Sequence, residues 1–415
     1  MARGHRSAGA VAAALAALPA GCATALCGPG AQRAALGVTS HAGLQRYVSQ
    51  ATGSDSADGT RRHPWATMGH ATAVLDTMSL RRGGVTVHVL AGTYREPVVN
   101  DKDGRPDAYV TFVADPPGKV LIKPSSGRFA FRNNGDYVRI IGFEITDPTA
   151  SEGIFLDASH DVVQGNHVYR VATIGCQNDD GDGGRSGYTA TGDGIGDNGE
   201  EAGNVITGNR VERIGPSSRC DYKHGIYPSA ARDLVRNNLT YGNSGSGIRF
   251  NHNIVGITVS GNLTFHNRNH GIHISGDDDA GGVARGFVIT NNVIARNAMY
   301  GVNVNSNADD PGNEYGHNLF FHNGYGTFGR NNSKDDPWTP GRADGEVVDP
   351  AGLGMVDYRD DGTGDYHLRP AAPEADAGTP LGAPATDYDG VRRPQGHGYD
   401  IGPFELACPP TGHAT

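Results

Sequence analysis

The chain has 415 residues, a net charge of −10, 62 glycines and only 7% aromatic residues. The acidic balance argues against nucleic acid as a partner, and so many glycines with so few aromatics fit a turn-dense chain with a thin core. Beyond the N-terminus no stretch is long and apolar enough to span a membrane.

The chain opens with Met1-Ala2-Arg3-Gly4-His5-Arg6 and an Ala/Leu run to Leu18. A basic start, a short apolar run and the exit Ala23-Thr24-Ala25 predict a secretory signal over 1–25. Cys22 offers a second route, a lipid anchor at the cell surface, although Pro19 fits the required lipobox poorly. Cleavage leaves Cys27, Cys176, Cys220 and Cys408. In an oxidising compartment such cysteines can pair. Cys176 and Cys220, each in a loop between repeats, are the first candidates, with free core thiols as the alternative. No C-x-x-C pair is present, which argues against a cysteine metal site. After a linker over 26–46, Trp65, Met68, Ala71, Val74, Leu75 and Met78 recur at roughly helical spacing. They predict a short helix over the open N-terminal end of a solenoid.

From about residue 47 a phrase keeps returning: Gly, a branched apolar residue, then an alternating strand. It reads Gly225-Ile226-Tyr227, Gly247-Ile248-Arg249, Gly271-Ile272-His273 and Gly301-Val302-Asn303, with weaker copies at Gly153-Ile154-Phe155 and Gly194-Ile195-Gly196. A second phrase alternates with it, as in Val205-Ile206-Thr207-Gly208-Asn209 and Ile257-Thr258-Val259-Ser260-Gly261-Asn262. The steps between the four strong glycines are 22, 24 and 30 residues. Short β-branched phrases at this period predict one coil of a single-stranded right-handed parallel β-helix. The Leu-x-x-Leu-x-Leu frame of leucine-rich repeats is missing. Alternation places Ile226, Ile248, Ile272 and Val302 inside, and Tyr227, Arg249, His273 and Asn303 on the outer face. Asn at successive corners can stack in a hydrogen-bonded ladder. The β-helix is expected over 47–346, a C-terminal cap over 347–405 and a tail over 406–415.

At these residues the chain resembles the secreted right-handed β-helix proteins of the pectate-lyase-like superfamily. Tyr47-Val48-Ser49, Gly53-Ser54-Asp55-Ser56 and Gly92-Thr93-Tyr94-Arg95-Glu96 are similar to the opening segments of bacterial members. Asp387-Tyr388-Asp389-Gly390 and Asp400-Ile401-Gly402-Pro403-Phe404-Glu405 are similar to their closing segment. The resemblance spans about 45–405 and speaks to fold more than to substrate.

The longest interruptions of the repeat fall between Asn166 and Asn238, and loops on a rigid scaffold are where function concentrates. Residues 205–252 carry seven Lys/Arg against three Asp/Glu in a chain that is acidic overall. A positive strip of this kind suits an anionic polymer, and the matching chemistry is β-elimination at a uronate. That reaction needs the carboxylate neutralised, a base for the adjacent ring proton and an acid for the departing oxygen. The expected base is Lys223, its pKa lowered by cationic neighbours such as Arg249. Tyr188 is the expected acid, with Tyr227 in reserve, and Arg249 the carboxylate clamp. His224 would orient Lys223. Arg219, Asn251, His252, His273 and Tyr227 would contact sugar. The segment Lys223-His224-Gly225-Ile226-Tyr227, with a tyrosine in the preceding loop, looks like β-helix alginate lyases that use a Lys/Tyr pair. Asp179, Asp180, Asp182, Asp193 and Asp197 form a candidate calcium set, although neither an EF-hand nor a nonapeptide pattern is present and a metal-free enzyme is the first expectation. The reading is thus a secreted monomer acting on an acidic polysaccharide, alginate before pectate. A hydrolase or C5-epimerase on the same fold, or a non-catalytic carbohydrate-binding β-helix, are the alternatives.

Overall fold

Strands of three to five residues, broken at each corner by a left-handed residue, dictate how this chain winds. The computed structural model describes residues 43–176, 192–198, 202–252, 254–276, 284–305, 308 and 312–406. Ile154, Ile195, Ile226, Ile248, Ile272, Val302 and Phe328 lie in one parallel register. They form the interior line of a nine-stranded sheet running from Val98–Asn100 to Gly326–Arg330. The first six are fully buried, and each such side chain contributes about 1.5–3 kcal/mol relative to exposure. A nineteen-stranded sheet, from Leu44–Val48 to Val347–Val348, carries the remaining faces of the coils. The result is the right-handed parallel β-helix that the repeat predicts.

The second phrase is explained by one corner. Gly165, Gly208, Asn237, Gly261, Asn291 and His317 all adopt left-handed φ, a region glycine enters freely and Asn and His enter more readily than other residues. The next residue in each coil is an asparagine: Asn166, Asn209, Asn238, Asn262, Asn292 and Asn318. Each of the first five donates from Nδ2 to the Oδ1 of its successor at 2.9–3.1 Å. Each side chain therefore satisfies backbone and neighbour together in a fully buried line, where an unpaired amide is costly.

The helix Met68–Asp76 starts at Thr67, whose side chain accepts from the His70 N–H, and it buries Met68, Ala71 and Leu75. The expected N-terminal helix is therefore present. The C-terminal segment packs back onto the solenoid. Leu353, Met355, Tyr366, Leu368, Ile401 and Phe404 pack along the flank of the solenoid, against Leu239, Tyr241, Leu263, Phe265, Val293 and Leu319. Those strands carry large apolar residues on their outward side too, and a second apolar layer must cover them. Among the described residues no helix is long and apolar enough to cross a membrane.

Candidate active site on the outer face

Register places two columns of side chains on the nine-stranded sheet. Strand Gly192–Asp197 pairs with Glu152–Leu156, setting Glu152 beside Asp193 and Phe155 beside Gly196. It pairs on its other side with Lys223–Tyr227, setting Asp193 beside His224 and Gly196 beside Tyr227. Arg249 is in register with His273, and His273 with Asn303. One column, the residue just before each repeat glycine, therefore reads Glu152, Asp193, His224, Ser246, His270, Tyr300. The other reads Phe155, Gly196, Tyr227, Arg249, His273, Asn303.

These groups are polar yet buried. Glu152, Asp193, His224, His270 and His273 are all at or below 8% exposure. Burying ionisable groups is expensive unless they are paired or neutral, and most of these are neutral. Burial drives the His224 and His273 imidazoles well below the usual range, with the Arg249 charge acting in the same direction. Burial also lowers His270 to about 3. The tautomers follow from the partners. His224 Nδ1 accepts from the Ser246 N–H at 3.1 Å and His270 Nδ1 from the Tyr300 N–H at 3.2 Å. His273 Nδ1 accepts from the Arg249 guanidinium, which can only donate. All three rings therefore carry their proton on Nε2. His273 presents it to Asn305 at 3.3 Å and His270 to Asn332 at 3.0 Å.

The carboxyls are also pushed toward neutrality. Burial raises Asp193 to about 8, against the pull of the His224 N–H and the charges of Arg249 and Lys223. Burial, and then the proximity of Asp193, raises Glu152 well above its ordinary value. Arg249 stays cationic, because a guanidinium does not deprotonate in proteins. Its histidine neighbours are neutral and Asp193 is largely protonated at neutral pH, while Asp221, already paired with Arg219, adds a favourable charge to its surroundings. Tyr227 stacks on His224 with ring centroids 5.7 Å apart, and its hydroxyl lies 3.3 Å from His252 Nε2. Burial raises its pKa, so the phenol keeps its proton at neutral pH.

The structure thus brings together His224, Tyr227, Arg249, His252 and His273 from the sequence-based set. Asn251 lies next to His252 and accepts from Ser275 at 2.7 Å. Lys223 is placed otherwise. It is fully buried, and its Nζ donates to the carbonyls of Ala172 and Ile174 at 2.6 and 2.8 Å. Its pKa is lowered to about 8, as expected, but the cause is burial rather than Arg249, and Asp193 opposes it. Arg219 is engaged by Asp221 through both carboxylate oxygens at 2.8 and 2.9 Å. Cys176 and Cys220 form a disulfide, with Cα atoms 5.8 Å apart. Tyr188, Asp179, Asp180 and Asp182 lie outside the described residues.

Glu152 and His270 were missed as site residues, and Asp193 was read only as a metal ligand. The signal was in the repeat: the residue before each glycine is as regular as the residue two places after it. Aligning only the latter hid a whole column.

Of the candidate calcium set, only Asp193 and Asp197 lie among the described residues. Asp193 accepts from the His224 N–H, whereas Asp197 accepts from Ser229 N and Asn204 Nδ2 and lies against Asp233. Among the described residues no group of three or more His, Cys, Asp or Glu is placed to hold a metal ion.

A family model described as periplasmic copper-binding protein (NosD) matches residues 183–336, well under half of the chain. Three histidines of this stretch, His224, His270 and His273, use Nδ1 as an acceptor, and the Arg249 cation lies among them, which does not suit these three to copper. No curated sequence is similar enough to this chain to match it. Among solved structures, pectate lyase Pel9A aligns with 16% identity and a TM-score of 0.56, covering 87% of this chain and 96% of that one. A rhamnogalacturonan lyase aligns with 14% identity and a TM-score of 0.44, covering 67% and 73%. An alginate lyase from Paenibacillus sp. str. FPU-7 aligns with 15% identity and a TM-score of 0.38, covering 68% and 97%. Identity this low is a likeness of fold, and the fold is the parallel β-helix of pectate-lyase-like proteins.

Proposed function

We propose that this protein is an exported polysaccharide lyase that cleaves a uronic-acid polymer by β-elimination on the outer face of the nine-stranded sheet. One observation carries the reading. Arg249 is a cation on the strand next to Tyr227, whose phenol stays protonated, and its charge reaches the Asp193 carboxyl, which titrates at about 8. An anion receptor next to a proton acceptor and a proton donor is what elimination at a uronate requires.

In this reading Arg249 grips the sugar carboxylate bidentately, helped by the Nε2–H of His224, and so acidifies the proton on the neighbouring ring carbon. Asp193 takes that proton. The electron pair left behind forms the ring double bond and expels the glycosidic oxygen, which Tyr227 protonates. Lys223 takes a supporting role instead of the role of base. Two of its N–H groups are committed to carbonyls, while its charge holds the Asp193 pKa lower than burial alone would. The protein works as a monomer and needs no metal for these steps. Alginate and pectate are the first polymers to offer.

A second reading has its own support. Glu152 and Asp193 are carboxyls facing each other on adjacent strands, whose backbones lie about 4.8 Å apart, and paired carboxyls are the apparatus of glycoside hydrolysis. The test is to incubate the full chain with alginate, pectate, hyaluronan and glucuronan, with and without chelator. Ultraviolet absorbance of an unsaturated uronate and reducing ends are followed together. Absorbance rising with the reducing ends, chelator or not, supports the lyase. Reducing ends without absorbance overturn it in favour of the hydrolase.

A further inference from the structure

A different edge of the solenoid carries a second constellation. After strands His167–Tyr169, Arg210–Glu212, Leu239–Tyr241, Leu263–Phe265 and Val293–Ala295, each coil turns through one left-handed residue: Arg170, Arg213, Gly242, His266 and Arg296. Their N–H groups donate to the following coil, as Arg170 does to Glu212 and His266 to Ala295, so they stack one per coil. Four of the five are Arg or His. A left-handed corner favours Gly or Asn on steric grounds, and the Asn-ladder corner of this chain follows that preference. Arginine at three positions here runs against it, so the turn itself does not explain the charge.

Gly242 interrupts the row. A Cβ there would meet only Arg213 Cγ, at 3.6 Å. The gap opens a cavity of about 620 Å³ lined by Arg170, Thr173, Arg213, Ser217, His266 and Arg268, with Asp360 and Asp361 of the C-terminal segment on the far wall. That volume is in the range of ligand sites. The two acids are already engaged: Asp360 pairs with Arg296 at 3.4 Å, and Asp361 accepts from the Thr363 N–H and hydroxyl at 2.9 and 2.7 Å. Arg213 is shared between Glu212 at 3.0 Å and the Asp361 carbonyl at 2.9 Å. For Arg170 and Arg268 no acidic partner exists among the described residues. Thr173 lines the cavity and lies between the two carbonyls that hold Lys223. The cavity therefore adjoins the strand bearing His224 and Tyr227 but opens at the corner.

We propose that this corner cavity is a second saccharide site, distinct from the outer-face columns, that binds an anionic sugar residue through its carboxylate. It rests on the lyase reading only for the class of saccharide. Two guanidiniums without an acidic partner on one cavity lining suit a carboxylate, and Ser217 and Thr173 supply hydroxyls for the ring substituents. A non-catalytic site here would hold a polymer chain on the enzyme between cleavages.

Calorimetric titration tests this. Short oligomers of galacturonate and of mannuronate, a neutral oligosaccharide of equal length and inorganic sulfate are titrated into the full chain. The same ligands are titrated into Arg249→Gln, and into Arg249→Gln carrying Arg170→Ala and Arg268→Ala. Arg249→Gln is expected to keep one site for an acidic oligomer, and the triple variant to lose at least tenfold in affinity at an unchanged unfolding midpoint, since both arginines are exposed. Three results would overturn the proposal: no binding to Arg249→Gln, equal affinity in the triple variant, or sulfate or the neutral sugar binding as tightly as the acidic oligomer. Elimination rates play no part, so this site and the lyase reading fail separately.

Discussion

Glu152 and Asp193 stand side by side on neighbouring strands, and Glu152 Oε2 accepts the backbone N–H of Asp193 at 3.1 Å. That contact holds a second carboxyl against the proposed base, and Asp193 in turn helps raise Glu152 well above its ordinary value. Glu152 therefore keeps its proton while Asp193 ionises. Glu152→Gln, which is uncharged and keeps the hydrogen bond, should leave the acid limb of the elimination rate where it is. A limb that moves to lower pH contradicts a neutral Glu152.

The pH profile has a definite sign. The base must be ionised and Tyr227 protonated, so the rate rises with pH through about 8 and falls only where the phenol, raised above its ordinary value, ionises. A rate already maximal at pH 6 contradicts Asp193 as base. The profile alone does not separate Asp193 from Lys223, because burial brings the amine to about 8 as well.

Arg249→Ala should lower kcat/KM on a uronate polymer by at least a hundredfold, and Arg249→Lys should recover little, because an ammonium lacks the planar fork. Activity within a few-fold of the parent in either variant contradicts the receptor role.

Stability has its own probe in the Asn ladder. Asn262 Oδ1 accepts from both nitrogens of Asn238, and its Nδ2 donates to the Val235 carbonyl at 2.9 Å. Asn262→Ala leaves buried backbone groups unpaired, at a cost of about 1–3 kcal/mol for each such group. Denaturant unfolding should show the loss, and a variant as stable as the parent refutes it.

His367 bridges Asp365 and Asp389 at 2.6 Å each in the C-terminal segment, and chiefly the Asp389 contact raises its pKa to about 9. A histidine raised on folding contributes stability that is complete below its ordinary value near 6.5 and is lost as pH rises through about 9. The melting temperature of His367→Gln should therefore approach that of the parent as pH passes 9. A gap that stays constant with pH contradicts the bridge.

Much of the architecture was legible because one physical constraint, stacking identical coils, writes itself into every repeat. Gly225, Gly247 and Gly271 announce the period, and Asn209, Asn238 and Asn262 announce the corner. The outer column Tyr227–Arg249–His273 followed from alternation alone. The surroundings of Lys223 were not legible because alternation breaks between Gly225 and Ile226, which both face the interior. Gly225 must be glycine there, since a Cβ would lie 2.3 Å from Thr240 Oγ1. The chain before it turns, and Lys223 points to the 172–174 carbonyls. Those contacts join residues about fifty positions apart and leave no local trace. The flank packing of the C-terminal segment was hidden for the same reason.

The most direct measurement compares Asp193→Asn and Lys223→Met with the parent, recording elimination rates across pH on one uronate polymer. The account predicts a loss of about 10²–10⁴-fold for Asp193→Asn. It predicts an active Lys223→Met whose rising limb has moved to higher pH, because the amine's charge no longer favours ionised Asp193. An active Asp193→Asn beside a folded but inactive Lys223→Met would return the role of base to the lysine and contradict the account.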